Sequence, residues 1–413
     1  MIRSMFSAIS GLRSHRTLLD VVGNNIANVN TAGFKSSGVV FQDVLSQTVQ
    51  GAGAGAPTAD IGGTNASQVG LGVSIGRIST SFSQGALQRT SRDMDFALRG
   101  DGFFSVKAAG EDLYTRAGSL SLDAFGRLVT PTGGLVQGWA GDAAGVIDTN
   151  LPIGDITIPV GDLIAPQATS EVILNGNLPT GDAVGATYTT SVEVFDTQGQ
   201  PTLVSFTFTK TAADQWTVSG TYGDPGSAFT LTDNGVTFDA NGDVTAPADF
   251  DVNIASGQVP GVPAFTLELN SSGGRLSQYG ELATVSISSQ NGSAAGSLQS
   301  LTVSQEGVQI GSYSNGRNKS IAQFAVAVFN NPEGLEKVGD SGFRTTVNSG
   351  VAQMNVAGLG GRGLISSGTL EMSNVDLATE FTNLIVAQRG FQANSRVVTA
   401  SDEVLADIVN LKR

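Results

Sequence analysis

No cysteine occurs in the 413 residues, so disulfides and thiolate metal centres are excluded. A single histidine, His15, leaves no second imidazole for a catalytic pair or a zinc cluster. Apolar runs are short, and none approaches the roughly 18–20 residues that a membrane-spanning helix needs. The opening "MIRSMFSAIS" lacks the continuous apolar core of a cleavable signal, so export is expected to take another route. Bases are scarcest in the middle. Residues 146–283 hold sixteen Asp or Glu against Lys210 and Arg275, a net −14 that equals the charge of the whole chain. This balance disfavours nucleic acid, whose phosphates require Lys and Arg on one face. So lopsided a block reads as a separate, water-facing domain.

What is present divides by period. Near the start, Ile2, Met5, Ile9, Leu12, Leu19, Val22, Ile26 and Val29 follow one face of a helix. At the far end, Leu377, Phe381, Leu384, Phe391, Val398, Leu405 and Val409 recur at steps of 4, 3, 7, 7, 7 and 4. That spacing predicts a heptad seam on a helix of about 40 residues, roughly 60 Å long. Gln388, Ser395 and Asp402 are expected at the alternate seam positions, making it wetter than a dimeric zipper. Between the ends the period falls to two. "SVEVF" and "TLVSFTFT", joined by the turn composition "DTQGQP", predict a hairpin, and "DFALRGDGFFSV", "AQFAVAVF" and "GSLQSLTVS" predict further strands. "GAGAGAPTADIGG" (51–63) and "GLGGRGLISSG" (358–368) read as Gly-rich linkers.

The expected fold is therefore multidomain: a mainly β body, an outer β domain, and N- and C-terminal α-helices pairing as a coiled coil. Residues 1–30 with 373–413 form the helical part, and 31–71 with 358–372 an extended hinge. Residues 72–145 with 284–357 form the inner β domain, and 146–283 the acidic insertion. Narrow apolar stripes on long helices need partners, first each other and then neighbouring molecules.

Motifs for chemistry weigh little. "GLGGRG" places Gly358, Gly360 and Gly363 at dinucleotide-fingerprint spacing, but no helix pattern follows, so a linker is the better reading. "DANGD" (239–243) has its glycine at the fourth position of a would-be calcium loop, where the sixth is required, and reads as a hairpin turn. His15 lies between Arg13 and Arg16 without a nucleophile or carboxylate motif. No cofactor and no metal site is expected. The stretch "NNIANVNTAGFK" is different. Gly33 and Phe34 suit a helix end with a left-handed residue and an apolar fold-back, but that leaves Asn24, Asn25, Asn28 and Asn30 unexplained. Amides there are expected to hydrogen-bond across a packed interface and set its register.

"GNNIANVNTAGFK" resembles the N-terminal signature of the bacterial flagellar rod and hook axial proteins, and "LEMSNVDLATEFTNLIVAQRGFQANSRVVTASDEVL" is similar to their C-terminal segment. "ALRGDGFF", "YTRAGSLSLDAFGRLVTPTGGLVQGW", "SYSNG" and "VFNNPEGLEKVGDSGF" resemble the body of the hook type. "VFDTQGQPTLVSFTF" is similar to a hairpin of its outer domain. The distal rod type shares the ends but lacks a large insert. Two departures stand out: Phe391 where an aromatic, often tyrosine, is usual, and Ala32 where tyrosine or proline is common.

The resemblance implies a structural subunit exported through the flagellar type III apparatus without a cleaved signal. It polymerises under a cap into a curved tube that transmits torque from rod to filament. Partners implied are other copies of the chain, rod and hook–filament junction proteins, the cap and the export apparatus, with no nucleic acid and no membrane insertion. The implied assembly residues are Asn24, Asn25, Asn28, Asn30, Gly33, Phe34, Leu377, Phe381, Leu384, Gln388, Phe391, Asn394, Val398, Leu405 and Val409. "FQDVL", with Phe41 and Leu45, resembles an export-recognition segment or is a short strand. A distal rod-type protein and, from another class, a secreted β-rich binding protein or enzyme stay open as alternatives.

Overall fold

The structure is a computed structural model that describes residues 2–54, 62–161, 163–223 and 226–410. It is mainly β, with a long helix near each end: α1, Ile2–Ala27, and α2, Leu377–Asn410. α1 ends where the asparagines begin to compete for backbone hydrogen bonds, and the chain turns through Asn28–Gly33. The strands β1, Ser37–Asp43, and β4, Val73–Thr80, pair antiparallel from Ser37↔Thr80 to Asp43↔Val73. Between them β2, Ser46–Gln50, pairs with β3, Ser67–Gly70. Much of the stretch expected as an extended hinge is thus a two-step hairpin arm. Residues 55–61, most of the Gly-rich 51–63 segment, lie outside the described residues.

The chain divides into two compact units. The first comprises Met1–Ile158, Leu301–Ile310 and Ser320–Arg413. It contains β5, Leu87–Arg89, β6, Phe96–Arg99, β7, Phe103–Ala108, and β8, Glu111–Thr115. β7 and β8 form a hairpin whose turn, Ala109 and Gly110, has φ of +51° and +84°, the twist a two-residue turn needs. β7 buries Phe103, which packs with Tyr114, Phe329 and Phe343, and Phe82 covers the cluster. Tyr114 meets Phe329 edge-on at 4.9 Å and 82°.

The C-terminal linker expected at 358–372 is replaced by strands. Residues 364–367 pair with β6 and 369–371 with β5, burying Ile365, Thr369 and Glu371. Left-handed Gly358, Gly360 and Gly361 turn the chain into a strand, not a helix, so the fingerprint spacing has no dinucleotide context.

The second unit, Pro159–Ser300 with Gly311–Lys319, contains two six-stranded sheets. Val172, Leu174 and Leu178 from one and Phe206, Phe208 and Val218 from the other share one core. The predicted hairpin is there: 187–195 pairs with 201–212, and Asp196 Oδ1 accepts the Gln198 and Gln200 amides at 2.8 Å to hold its turn. "DANGD" is likewise a turn, with Asp239 Oδ1 accepting the amides of Asn241 and Asp243 at 2.8 Å. The unit does not start at 146 or end at 283. Ile156 and Ile158 are buried in the first unit, whose Val136 carbonyl accepts the Ile156 amide at 3.0 Å. Residues 286–290 pair with 171–179 of the second unit. Acidic charge marks exposed surface, whereas hydrogen-bonded strands mark a domain edge.

Candidate assembly site

The two terminal signatures meet in a clasp. Asn25, 1% exposed near the end of α1, donates from Nδ2 to the Ser37 carbonyl at 2.8 Å and to Glu380 Oε1 of α2 at 3.0 Å. Its Oδ1 accepts the Ser37 amide at 3.0 Å, so one side chain ties α1, β1 and α2 together. Gly33, at φ +70°, donates its amide to the Glu371 carbonyl at 2.7 Å, and a Cβ there would stand 2.5 Å from the Ala117 amide nitrogen. Both the left-handed backbone and the close approach require glycine. Lys35 Nζ reaches Glu371 Oε1 at 2.7 Å and donates to the Ser83 carbonyl at 2.8 Å. Arg116 meets the other Glu371 oxygen at 3.4 Å, and Gly85 donates its amide to Oε1 at 2.9 Å. Asn374 closes the clasp, accepting the Ser36 amide at 2.8 Å and donating to the Ser81 carbonyl at 2.9 Å.

The electrostatics are those of a dry ion cluster. Burial pushes the Lys35 ammonium below its ordinary range, and its contacts with Glu371 oppose that shift. Burial likewise lowers Arg116, again opposed by Glu371. Lys337 covers the Phe34 ring at 4.9 Å and donates to the Lys35 carbonyl at 2.8 Å; burial lowers its pKa too. At the head of α2, Asp376 accepts the Ala378 amide at 2.9 Å, and amide donation from Thr379 and Ala378 holds its carboxyl below the usual range.

α1 and α2 pack antiparallel in constant register. Gly11 lies against Asn394, His15 against Gly390, and Asn25 against Glu380, so each step along α1 is matched by one back along α2. The residues that close on each other are small or polar. The buried positions are Glu380, Ala387 and Ser401 on α2, and Ala8, Gly11, Ser14, Val22 and Asn25 on α1, of which only Val22 is neither small nor polar. Leu384, Asn394, Val398 and Leu405 are half-buried, while Leu377, Phe381, Gln388 and Phe391 are exposed. Ser395 and Asp402 are exposed too, so Glu380, Ala387, Asn394 and Ser401, not these, fill the alternate heptad. Val409 falls outside the residues whose side chains are described.

The other expected residues separate. Asn28 Nδ2 donates to the Asn24 carbonyl at 2.9 Å and Asn28 Oδ1 accepts from Thr31 at 3.1 Å, so these amides brace the turn. Asn24 and Asn30 are exposed. Phe41 lies in β1 with its ring 5.5 Å from that of His15, and Leu45 is exposed just before β2. Sequence reasoning assigned no role to Lys35, Arg116, Glu371, Asn374 or Glu380, although all five fall within the stretches that carry the resemblance. The Lys35–Glu371 contact spans 336 positions and has no local period to reveal it.

Known families match along the chain in order. Residues 5–35 match the flagella basal body rod protein family, and 97–175 the flagellar hook protein FlgE/F/G D1 domain. Residues 167–293 match the flagellar basal body protein FlaE D2 domain, and 366–411 the flagellar basal body rod FlgEFG protein C-terminal family. The flagellar hook protein FlgE of Treponema pallidum (strain Nichols) is 38% identical over 466 aligned residues, covering all of both chains. That of Escherichia coli (strain K12) is 33% identical, covering 98% of this chain and 99% of that one. The flagellar basal-body rod protein FlgG of Bacillus subtilis (strain 168) is also 33% identical over the full length of both. The crystal structure of Helicobacter pylori flagellar hook protein FlgE2 shares the fold at a TM-score of 0.55 and 14% identity, covering 69% of this chain and all of that one. Carrying the rod/hook domains in order and 38% identical over its whole length to a hook protein, the chain belongs to the flagellar hook protein FlgE family.

Proposed function

We propose that this chain is the structural subunit of a flagellar hook, a non-enzymatic protein that polymerises into a curved, flexible tube and passes torque from rod to filament as a universal joint. The observation that carries the reading is a contrast within the terminal helices. Gly11, His15 and Asn25 meet Asn394, Gly390 and Glu380 within one chain, while Phe6, Phe381, Ile385, Val386 and Phe391 stay exposed. An apolar face of that length on a single chain calls for cover by neighbouring copies. In the tube α1 and α2 pair as a coiled coil, and Leu377, Phe381, Gln388, Phe391, Asn24, Asn28 and Asn30 meet adjacent subunits. Leu384, Asn394, Val398, Leu405 and Val409 extend the same seam, and Gly33 and Phe34 shape the turn that presents it.

The subunit leaves the cell through the type III export apparatus without losing a signal, with Phe41 and Leu45 as a recognition segment, and adds beneath a cap outside the cell. Rod and hook–filament junction proteins meet the two ends of the tube. The compact units of each copy slide past those of its neighbours as each protofilament lengthens and shortens in rotation. Electron microscopy of concentrated protein, with antibody labelling of isolated flagella, tests this. Tubes in vitro and label on the curved segment support the reading. Label confined to the straight rod would favour a rod-type role, which the Bacillus subtilis relative keeps in view. Absence of any polymer would overturn both.

A further inference from the structure

Glycine is the poorest helix former after proline, yet α1 holds Gly11 and Gly23 in its interior and α2 holds Gly390. Two of the three sit where the helices touch. A Cβ at Gly11 would stand 2.8 Å from both Nδ2 and Oδ1 of Asn394, and one at Gly390 would stand 2.5 Å from Cε1 and Nε2 of His15. A Cβ at Gly23 would meet nothing within 4 Å beyond its own stretch of helix, among the described residues. The contacts are reciprocal: each helix offers a notch, and four residues further along its own sequence the side chain that fills the other's notch. Both side chains are held in place. The His15 ring meets Phe41 edge-on at 5.5 Å, and Asn394 Nδ2 donates to the Gly390 carbonyl at 2.9 Å.

Heptad seams of small residues are adhesive but slide, because each step presents a similar surface. Here a slip of one heptad would set Asn394 against Leu18 or Ser4, and His15 against Asn383 or Val397. None of these is a glycine, so the slipped pairings lack the notches. We infer that Gly11 and Gly390 are paired notches that set the register of α1 against α2, with Asn394 and His15 as the side chains they admit. The inference rests on reading the helix pair as the assembly core.

The test separates notch from propensity, because the two predict opposite signs. Alanine is the better helix former, so Gly23→Ala should raise or leave unchanged the melting of the helical signal in the full-length chain. Gly11→Ala and Gly390→Ala should lower it. The doubles Gly11→Ala/Asn394→Ala and Gly390→Ala/His15→Ala remove the obstructing side chain and should recover most of the loss.

Register is read directly by placing Leu18→Cys and Ala387→Cys in this cysteine-free chain and measuring disulfide formation on oxidation. The single notch variants should form it roughly tenfold more slowly, about 1.4 kcal/mol. Failure of the glycine-intact pair to cross-link, or notch variants that behave like Gly23→Ala, would overturn the inference. Tubes are scored separately. A chain that cross-links between 18 and 387 but never polymerises sinks the polymer reading and leaves the notches standing. Tubes with a cross-link indifferent to Gly11→Ala and Gly390→Ala do the reverse.

Discussion

Lys35 is a cation with no exposed side-chain surface, and its one carboxylate partner among the described residues lies near the other end of the chain. Removing one member of such a cluster is more damaging than the cluster is stabilising, because uncompensated charge stays buried. Glu371→Gln should therefore cost roughly 3–5 kcal/mol at neutral pH. The sign of the pH dependence follows from the direction of the Lys35 shift. A folded pKa below 10.5 means that the folded state holds this proton less tightly than the unfolded one. The cost of burying the charge is thus complete below the folded pKa and recedes as pH rises from there towards 10.5. In Glu371→Gln the opposing contacts are gone, so that recovery should begin at lower pH and be larger. Urea midpoints at neutral and alkaline pH check both points, and an unaltered midpoint for Glu371→Gln at neutral pH refutes the clasp. Asn25→Ala should cost about 1–3 kcal/mol, since Glu380 Oε1 and both Ser37 backbone groups lose their partner.

At the scale of elements, α2 begins just after Asp376, whose carboxylate accepts amides that the helix leaves unpaired. Its folded pKa is lowered, so its contribution is present above the ordinary carboxylate range and is lost as pH falls through the folded value. Asp376→Asn keeps an acceptor but cannot titrate. Circular dichroism between about pH 5 and 2 should show the start of α2 losing order in the parent but less so in Asp376→Asn. An identical acid profile would assign the loss to other groups. Further along, Leu405 is only half-buried in one chain, so Leu405→Ala should barely alter the melting of the monomer. Within a polymer that completes its burial, the same change should remove roughly 2–5 kcal/mol per subunit. Hook counts per cell decide the matter, and wild-type numbers would remove Leu405 from the seam.

The whole molecule crosses between its units more often than a simple insertion would, at 158/159, 300/301, 310/311 and 319/320. Replacing 146–283 with a Gly-Ser linker would delete Ile156 and Ile158, which are 1% and 2% exposed in the first unit. Each loss of that kind costs roughly 2–5 kcal/mol, so this excision should unfold the first unit. Replacing 159–300 spares that core and should leave export and tube formation intact, changing the curvature of the tube. Thermal unfolding and electron microscopy of the two excisions distinguish these outcomes. Tubes from the 146–283 excision would show that Ile156 and Ile158 are dispensable. The second unit carries fourteen acids and four bases, −10 in net charge, so nearby copies should repel less as salt rises.

The sequence by itself determined what neighbouring residues decide. Period two made strands of "TLVSFTFT" and "DFALRGDGFFSV", Asp196 and Gly199 turned a hairpin, and long three-and-four spacing made a helix at each end. The terminal signatures were enough to locate the family. Only the tertiary structure decided which distant groups meet. Lys35 and Glu371 carry no mark of each other, because an ion pair across 336 positions depends on three-dimensional approach and not on spacing. The hinge expected at 358–372 became strands because β5 and β6 offered it hydrogen-bonding edges, which Gly-rich composition cannot reveal. The alternate half of the seam shifted by one position, from Phe381, Gln388, Ser395 and Asp402 to Glu380, Ala387, Asn394 and Ser401, for a related reason. Apolar spacing identifies the stripe that avoids water, but the line along which two helix backbones come closest is chosen by size, and size favours Gly11, Ala387 and Gly390.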